Sequence, residues 1–356
     1  MQINTKDARN FCENLFQAYG FSACESSIIS DVLLRADLYG IESHGIHRLI
    51  RYHDEITSGQ VDAKAKIEIV HETGISACIE ANKAMGQLVG VEAMKIAVQK
   101  AKSSGCGMVT VRNSNHYGIA SYYTELASEE DLIGVSMTNT EAICVPTFGA
   151  EAMTGTNALA LAMPADPFTF SYDASTTVVP RGKLEVFRKN GQPLPDNWCL
   201  DANGNPCNDA AVVVDNIIAK AGGGIAPLGG LGMLHGGHKG FGLSIIVDLF
   251  SAVVSSGLTS NHVNRKPGST GICHYFMALD YGIFGDKAAI KNAMSKFLQE
   301  IRSSRKAEGQ SRIYTHGERE AELMAQRING QIPVNEKTIE EMKNIAKLLN
   351  TECNIN

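Results

Sequence analysis

The sequence predicts a mixed α/β or α+β fold, with helices from both chain ends forming one unit beside a central mixed sheet. Three observations carry this. Up to about residue 59 the apolar residues recur at helical spacing. From about residue 68 short apolar runs alternate with helical stretches, and two amphipathic helices close the chain. No internal repeat or low-complexity tract interrupts this order.

Ala8, Phe11, Cys12, Leu15, Phe16 and Tyr19 mark the first helix, and Gly20 stops it. Ser22 and Glu25 form a capping-box pattern ahead of Ile28, Ile29, Val32, Leu33 and Ala36, and Gly40 ends that run. The spacing predicts a third helix from about Ser43 to Gly59, with Ile46, Leu49, Ile50, His53 and Ile56 on its buried side. "IEIVHE", "SACIEA", "MVTVRN", "LIGVSMT", "ALALAMP", "FTFSYDA" and "HYFMALD" read as strands. "VFRKNGQPLPDNWCLDANGNP", rich in Pro, Gly, Asn and Asp, predicts a long surface excursion. Ile290, Met294, Phe297, Leu298 and Ile301 mark one closing helix; Ile339, Met342, Ile345 and Leu348 mark the other.

A chain of 356 residues has room for roughly two domains and a large core. We expect one from residues 1–120 and 285–356, including the strand before His116, and another over 121–284. A formal charge of −6 without a basic stripe argues against a nucleic-acid partner. Nine cysteines with no C-x-x-C pair read as reduced thiols. The start "MQINTKDARNF" lacks the apolar core of a signal peptide, and "FGLSIIVDLFSAVVSSG" is too short and is interrupted by Asp248. The expectation is a cytoplasmic protein with no membrane partner.

Three stretches carry candidate chemistry. In "VRNSNHYGIASYY" a buried strand, "GMVTV", leads through His116 into an amphipathic helix bearing Ile119, Tyr122, Tyr123 and Leu126. Strand-to-helix turns often mount the reactive groups of α/β proteins, although a histidine there serves equally well as a turn residue or cap. In "SHGIHRLIRYHDEI", His44, Arg48 and Tyr52 are four apart, on the side opposite the apolar stripe. That is the commonest pattern of a solvated face; it is also a plausible anion clamp, because guanidinium grips a carboxylate with two parallel bonds. His47 and His53 lie nearer the buried side and suit packing. In "AGGGIAPLGGLGMLHGGHKGFGL", dense glycine precedes a helix that starts near Lys239, a geometry open to an anionic group but also common in plain loops. Neither the P-loop nor the Rossmann glycine pattern stands there in its proper context. Asn157, before one strand, and Asp173, at the end of another, are polar groups at strand ends, where an acid can accept from a ribose or start a turn.

Together "ADLYGIESHGIHRL", "RNSNHYGIASYY", "GTNALALAMP" and "GGHKGFGLSIIVDLFSAVVSSG" resemble, in order and through almost the whole chain, the malate/L-lactate dehydrogenase family that also holds L-sulfolactate and ureidoglycolate dehydrogenases and diketogulonate reductase. The resemblance implies a non-Rossmann fold, a helical substrate domain from the chain ends, a central NAD(P)-binding domain and a homodimer with its site near the subunit interface. It implies that His116 donates and accepts the proton, with His44 in that role in some members. Ser43, Arg48 and Tyr52 would surround the substrate carboxylate, and Thr140 and Glu141 would lie near the nicotinamide end, Glu141 towards substrate. Asn157, Asp173, Ala174, Ser175, Lys239 and Gly309, Gln310 and Ser311 would contact the cofactor. Ala158 stands where many members have Pro, and "THGERE" replaces a more usual Pro-Gly-Glu.

The reading is an NAD(P)-dependent oxidoreductase, leaning to NAD, that interconverts a small 2-hydroxy acid and its 2-oxo acid, of malate or L-lactate type. One alternative is reduction of a cyclic imine acid or a sugar-derived keto acid on the same scaffold. Another is a zinc hydrolase using His44, His47, His53 and His116, though no H-E-x-x-H or cysteine ligand pattern accompanies them. A non-catalytic dimeric binding protein is the third.

Overall fold

The computed structural model describes residues 1–265, 268 and 270–353. The chain opens with β1 (Gln2–Asn4), α1 (Thr5–Ala18) and α2 (Ala23–Leu38). Asn4 caps α1 through Lys6 N–H, and the Ser22–Glu25 capping box fixes the start of α2. Then the predicted third helix breaks up. Residues 42–44 and 46–48 form separate 3₁₀ turns, and only α3 (Leu49–Thr57) is α-helical. Of the expected stripe Ile46 and Leu49 are buried and Ile50, His53 and Ile56 half-buried, while Tyr52 and Glu55 are buried as well. The break follows from Gly45: a Cβ there would run into the Asp37 carboxylate, which accepts from Ile46 N–H at 2.8 Å and pulls the chain out of helical register.

Next come β2 (Glu68–Glu72), β3 (Ser76–Glu80), α4 (Gly86–Ser104), β4 (Cys106–Ser114), α5 (Ser121–Glu129), β5 (Ile133–Thr138), β6 (Ala158–Met163) and β7 (Phe170–Ala174). With β10 (Ile272–Leu279) these seven strands make one mixed sheet in the order β2-β3-β4-β10-β5-β6-β7. Only β3 and β4 run parallel, and α4 is the crossover that parallel pairing requires. The sheet takes strands from both sides of residue 120. Val109, Val111, Ile79 and Phe276 from its centre pack with Met94, Ala97 and Tyr123 of α4 and α5 into the main core.

Between β7 and β10 lie α6 (Arg181–Asn190), β8 (Cys199–Leu200), α7 (Ala210–Ala219), β9 (Gly224–Ile225) and α8 (Gly237–Asp248), the last continuing as a π-helical turn over Leu249–Val253. The expected surface excursion is more ordered than its composition suggests. β8 pairs with β9, and Leu184, Leu194, Cys199, Val213 and Ile225 form a small core of their own, with Trp198 against it.

The closing elements are α9 (Lys287–Ser303), α10 (Glu318–Arg327), β11 (Gln331–Pro333) and α11 (Glu336–Leu348). β11 pairs with β1, so the two chain ends meet, and Met342 and Ile345 of α11 share a core with Phe16, Leu33 and Leu49. Thus residues from both chain ends share one core. α9 stands apart from it: its predicted stripe buries only Leu298, and Ser295 Oγ accepts from Asp166 N–H beyond β6. Among the described residues no helix is long and apolar enough to cross a membrane.

Candidate active site

β4 ends at Ser114, and residues 115–120 carry the chain to α5 with His116 on the turn. Asn115 fastens that turn from below. Its amide donates to the carbonyls of Lys83 and Ala84, both at 2.9 Å, and its oxygen accepts from Thr270 Oγ1 at 2.6 Å. Gly86 lets the start of α4 come against the backbone of Asn115 and His116, where a Cβ would collide with both carbonyls. Tyr117 stacks on His274 and Tyr123 with ring centroids 4.4 and 4.6 Å apart. The ring of His116 is therefore carried on a rigid base.

Residues from the broken third helix meet it. His44 stacks beside His116 with centroids 5.6 Å apart, and the Tyr52 hydroxyl contacts His116 Nδ1 at 2.7 Å. Gly118 N–H approaches the same nitrogen at 3.4 Å. Ser43 Oγ lies 3.0 Å from His44 Nδ1, and Arg48 Nε donates to the Ser43 carbonyl at 2.6 Å. So His44, Arg48 and Tyr52 do converge, but through two turns and a short helix. Tyr52 is buried and its hydroxyl is engaged by the His116 ring. His47, expected to pack inside, is exposed and contacts Thr338.

The field in this site is positive. Burial, then Arg51, His44 and Arg48, holds His116 well below its ordinary range. Burial, Arg48 and Arg51 lower His44 too. Burial first, then Arg51, lowers even Arg48. Arg51 is paired with Glu55 at 2.7 Å, whereas Arg48 makes no ion pair among the described residues. An uncompensated guanidinium next to two neutral imidazoles fits an anion with a proton to exchange.

The residues expected at the cofactor fall into one connected region, with unequal freedom. Asn157 is fully buried; its amide donates to the Ser244 carbonyl and Asp248, and its oxygen accepts from Thr140 N–H and Ser260 Oγ. All its hydrogen-bonding capacity is used, so its side chain holds Thr140 in place and has none left for a ligand. Thr140 Oγ1 in turn accepts from Thr156 N–H at 2.9 Å. Thr176 N–H donates to the Thr156 carbonyl, and Leu228 N–H to that of Thr176, each at 2.8 Å. Leu228 lies against Gly240 at the head of α8, where no Cβ would fit. Hence Thr140, the strand end at Ala174 and Ser175, and the start of α8 at Lys239 adjoin one another. Lys239 is exposed and makes no ion pair among the described residues, at a helix start whose free N–H groups favour anions. A nicotinamide dinucleotide, with its phosphates, fits that donor set.

Five expected residues sit differently. Asp173 accepts from Ser121 N–H at 2.8 Å, capping α5, and burial raises its carboxyl. Glu141 pairs with Lys220 at 2.8 Å and accepts from the Asn264 amide, so its carboxylate is engaged within the protein. Gly309, Gln310 and Ser311 form an exposed turn with Gln310 N–H on the Ala307 carbonyl. Among the described residues no group of three or more His, Cys, Asp or Glu is placed to hold a metal, and Cys12, Cys144, Cys199 and Cys273 are buried thiols. Sequence reasoning passed over Asp37, Gln87 and Asn115. Asp37 stood inside the quoted "ADLYGIESHG", five residues before Glu42. Gln87, at the first turn of an ordinary-looking helix, gave no signal.

The family model described as malate/L-lactate dehydrogenase matches residues 3–343. A malate dehydrogenase from Pyrococcus abyssi is 43% identical over 348 residues, covering 98% of this chain and 94% of that protein. A malate/(S)-sulfolactate dehydrogenase from Methanothermus fervidus is 33% identical over 356 residues, covering 99% of each. The crystal structure of malate dehydrogenase from Entamoeba histolytica superposes with a TM-score of 0.93 at 32% identity, again covering 99% of each chain. With its helical end-unit, mixed sheet and paired histidines, the chain belongs to the malate/L-lactate dehydrogenase family and is an enzyme of the hydroxy-acid dehydrogenase type.

Proposed function

We propose that the enzyme interconverts malate and its 2-oxo acid, with His116 transferring the hydroxyl proton. The observation that carries this reading is the unpaired Arg48 guanidinium beside the His44–His116 stack. With Nε tied to the Ser43 carbonyl, Arg48 keeps its two terminal nitrogens for a carboxylate. A carboxylate held there puts a neighbouring hydroxyl within reach of the imidazoles. His116 then takes the hydroxyl proton in oxidation and returns it in reduction, while His44 lines the same space. Relatives named for malate and sulfolactate support a doubly anionic 2-hydroxy acid over lactate.

A nicotinamide cofactor supplies the hydride acceptor when bound; NAD is preferred to NADP in this reading. Thr140, Ala174, Ser175 and Lys239 would hold it, with Gly309 to Ser311 reaching from an exposed turn. The helical end-unit would serve the substrate and residues 121–284 the cofactor. The enzyme would act as a homodimer in the cytoplasm. Support for the dimer comes from α8 and its π-turn, which expose Leu243, Ile245, Ile246, Leu249 and Val253.

The test is the absorbance of the reduced dinucleotide, followed against a panel of 2-oxo acids with each cofactor. Turnover of oxaloacetate well above pyruvate is expected. Turnover of none of the panel would reject the reading.

A further inference from the structure

Arg48, Arg51, Tyr52 and Glu55 stand at i, i+3, i+4 and i+7, a spacing that puts all four on one face of α3. Arg48 belongs to that register, because its own backbone is right-handed helical at φ −83° and ψ −3°. Tyr52 fixes where the face looks: its hydroxyl meets His116 Nδ1 at 2.7 Å. Arg51 is thus the neighbour of Arg48 on the side of α3 that meets the proton-transferring ring. After burial, its charge does most to hold His116 neutral, ahead of His44 and Arg48.

The two arginines are tethered alike. Arg48 Nε donates to the Ser43 carbonyl at 2.6 Å, and Arg51 Nε donates to Glu55 Oε1 at 2.7 Å. Among the described residues the terminal nitrogens of both make no hydrogen bond. An arginine that served only to neutralise Glu55 would meet both carboxylate oxygens through parallel bonds. Instead Glu55 Oε2 is buried without a partner, so one nitrogen makes the contact and the fork of Arg51 stays uncommitted. The Glu55 side chain is 8% exposed and that of Arg51 35%, an anchor inside and a guanidinium open to a ligand.

Two guanidiniums a turn apart repel each other. Burial first, then Arg51, lowers the Arg48 guanidinium. A ligand with two anionic ends relieves that repulsion. Residues at this spacing have Cβ atoms about 5–6 Å apart, a span the carboxylates of a four-carbon diacid can match, whereas a monoacid reaches one guanidinium alone. We propose that Arg51 is a specificity-determining residue: while Arg48 holds the carboxylate beside the reacting carbon, the free fork of Arg51 takes the distal carboxylate. This inference deepens the malate reading and rests on the clamp at Arg48.

Removing Arg51 alone would strand the buried Glu55 carboxylate. The test is therefore Arg51→Gln in a Glu55→Gln background, with Glu55→Gln alone as reference. Two quantities are measured: kcat/KM for oxaloacetate against pyruvate, and calorimetric affinity for succinate against propionate, which differ by one carboxylate. The oxaloacetate-to-pyruvate ratio should fall about 10- to 100-fold, the size of a charged hydrogen bond, with pyruvate turnover near the reference, and the succinate-to-propionate ratio should fall with it. Arg51→Lys, which keeps a charge for Glu55 but has no fork to spare, stands in if the double variant does not fold and should lower both ratios. Unchanged ratios, or an equal loss on diacid and monoacid, would overturn the proposal, as would a wild type that binds succinate no better than propionate. Lack of oxaloacetate turnover by the wild type would instead count against the malate reading, and the succinate and propionate titrations then decide the role of Arg51 by themselves.

Discussion

At Arg48 one nitrogen is committed and two are free: Nε donates to the Ser43 carbonyl, and no carboxylate among the described residues forms an ion pair with the group. A lysine has no Nε for that anchor and no fork for a carboxylate. Arg48→Lys should weaken kcat/KM for the hydroxy acid by about 1.5–3 kcal/mol, the scale of charged hydrogen bonds, with cofactor affinity hardly changed. Steady-state kinetics and fluorescence titration of the reduced cofactor measure the two separately. Individual side chains were the part of the site most legible in the sequence. His44, Arg48, Tyr52 and His116 stood out by residue type and spacing, and the structure brings their rings and the guanidinium together. Tyr52 was placed on the wrong side because a continuous helix was assumed, whereas burial makes it a partner of the ring. Gln87, buried on the first turn of an ordinary-looking helix, was invisible because no pattern in the sequence marks its burial.

Between residues and fold, the segment 41–48 decides whether those groups meet. Asp37 near the end of α2 holds Ile46 N–H, and the space beside its carboxylate is closed to any residue but Gly45. Burial raises that carboxyl to about 7, against the lowering effect of the Ile46 amide. Gly45→Ala would force the carboxylate or the turn to move, at about 1–3 kcal/mol for overpacking. We expect a lower denaturant midpoint at unchanged m-value and a larger loss of kcat/KM than of cofactor affinity, since His44 and Arg48 flank the displaced turn. Regular elements were legible because period and caps agreed, as in α1 and α2. The turns at 42–48 were not, since a long-range contact to Asp37 overrides helical spacing there. β1 and β11 are three residues each, too short to carry a pattern, and the charged "EREAELMAQR" of α10 buries only Glu318, between Arg302 and Arg312.

On the scale of the whole molecule, pairing of β1 with β11 joins the two chain ends, and the seven-stranded sheet runs separately from β2 to β7. The apolar band on α8 faces outward on the element that bears Lys239. Covering that band with a second copy would couple assembly to cofactor binding. Light scattering should give a dimer, and Val253→Asp, placing a charge in the band, should dissociate it and weaken cofactor binding together. A fully active wild-type monomer at assay concentration would contradict the coupling.

The central claim is that the polypeptide brings an anion clamp and a proton-transferring imidazole to one point, and the pH dependence of malate oxidation tests it most directly. Oxidation needs His116 neutral, and kcat/KM reports ionisations of the free enzyme. An ordinary imidazole would begin to lose this activity as pH falls through about 6.5. Burial with Arg51, His44 and Arg48 around it holds the ring neutral to lower pH, so the acid limb should lie clearly below that value. His116→Ala should lose about 10²- to 10⁴-fold in kcat and the limb with it, while still folding and binding cofactor. An acid limb at or above pH ~6.5, or one that survives in His116→Ala and vanishes in His44→Ala, would contradict the account.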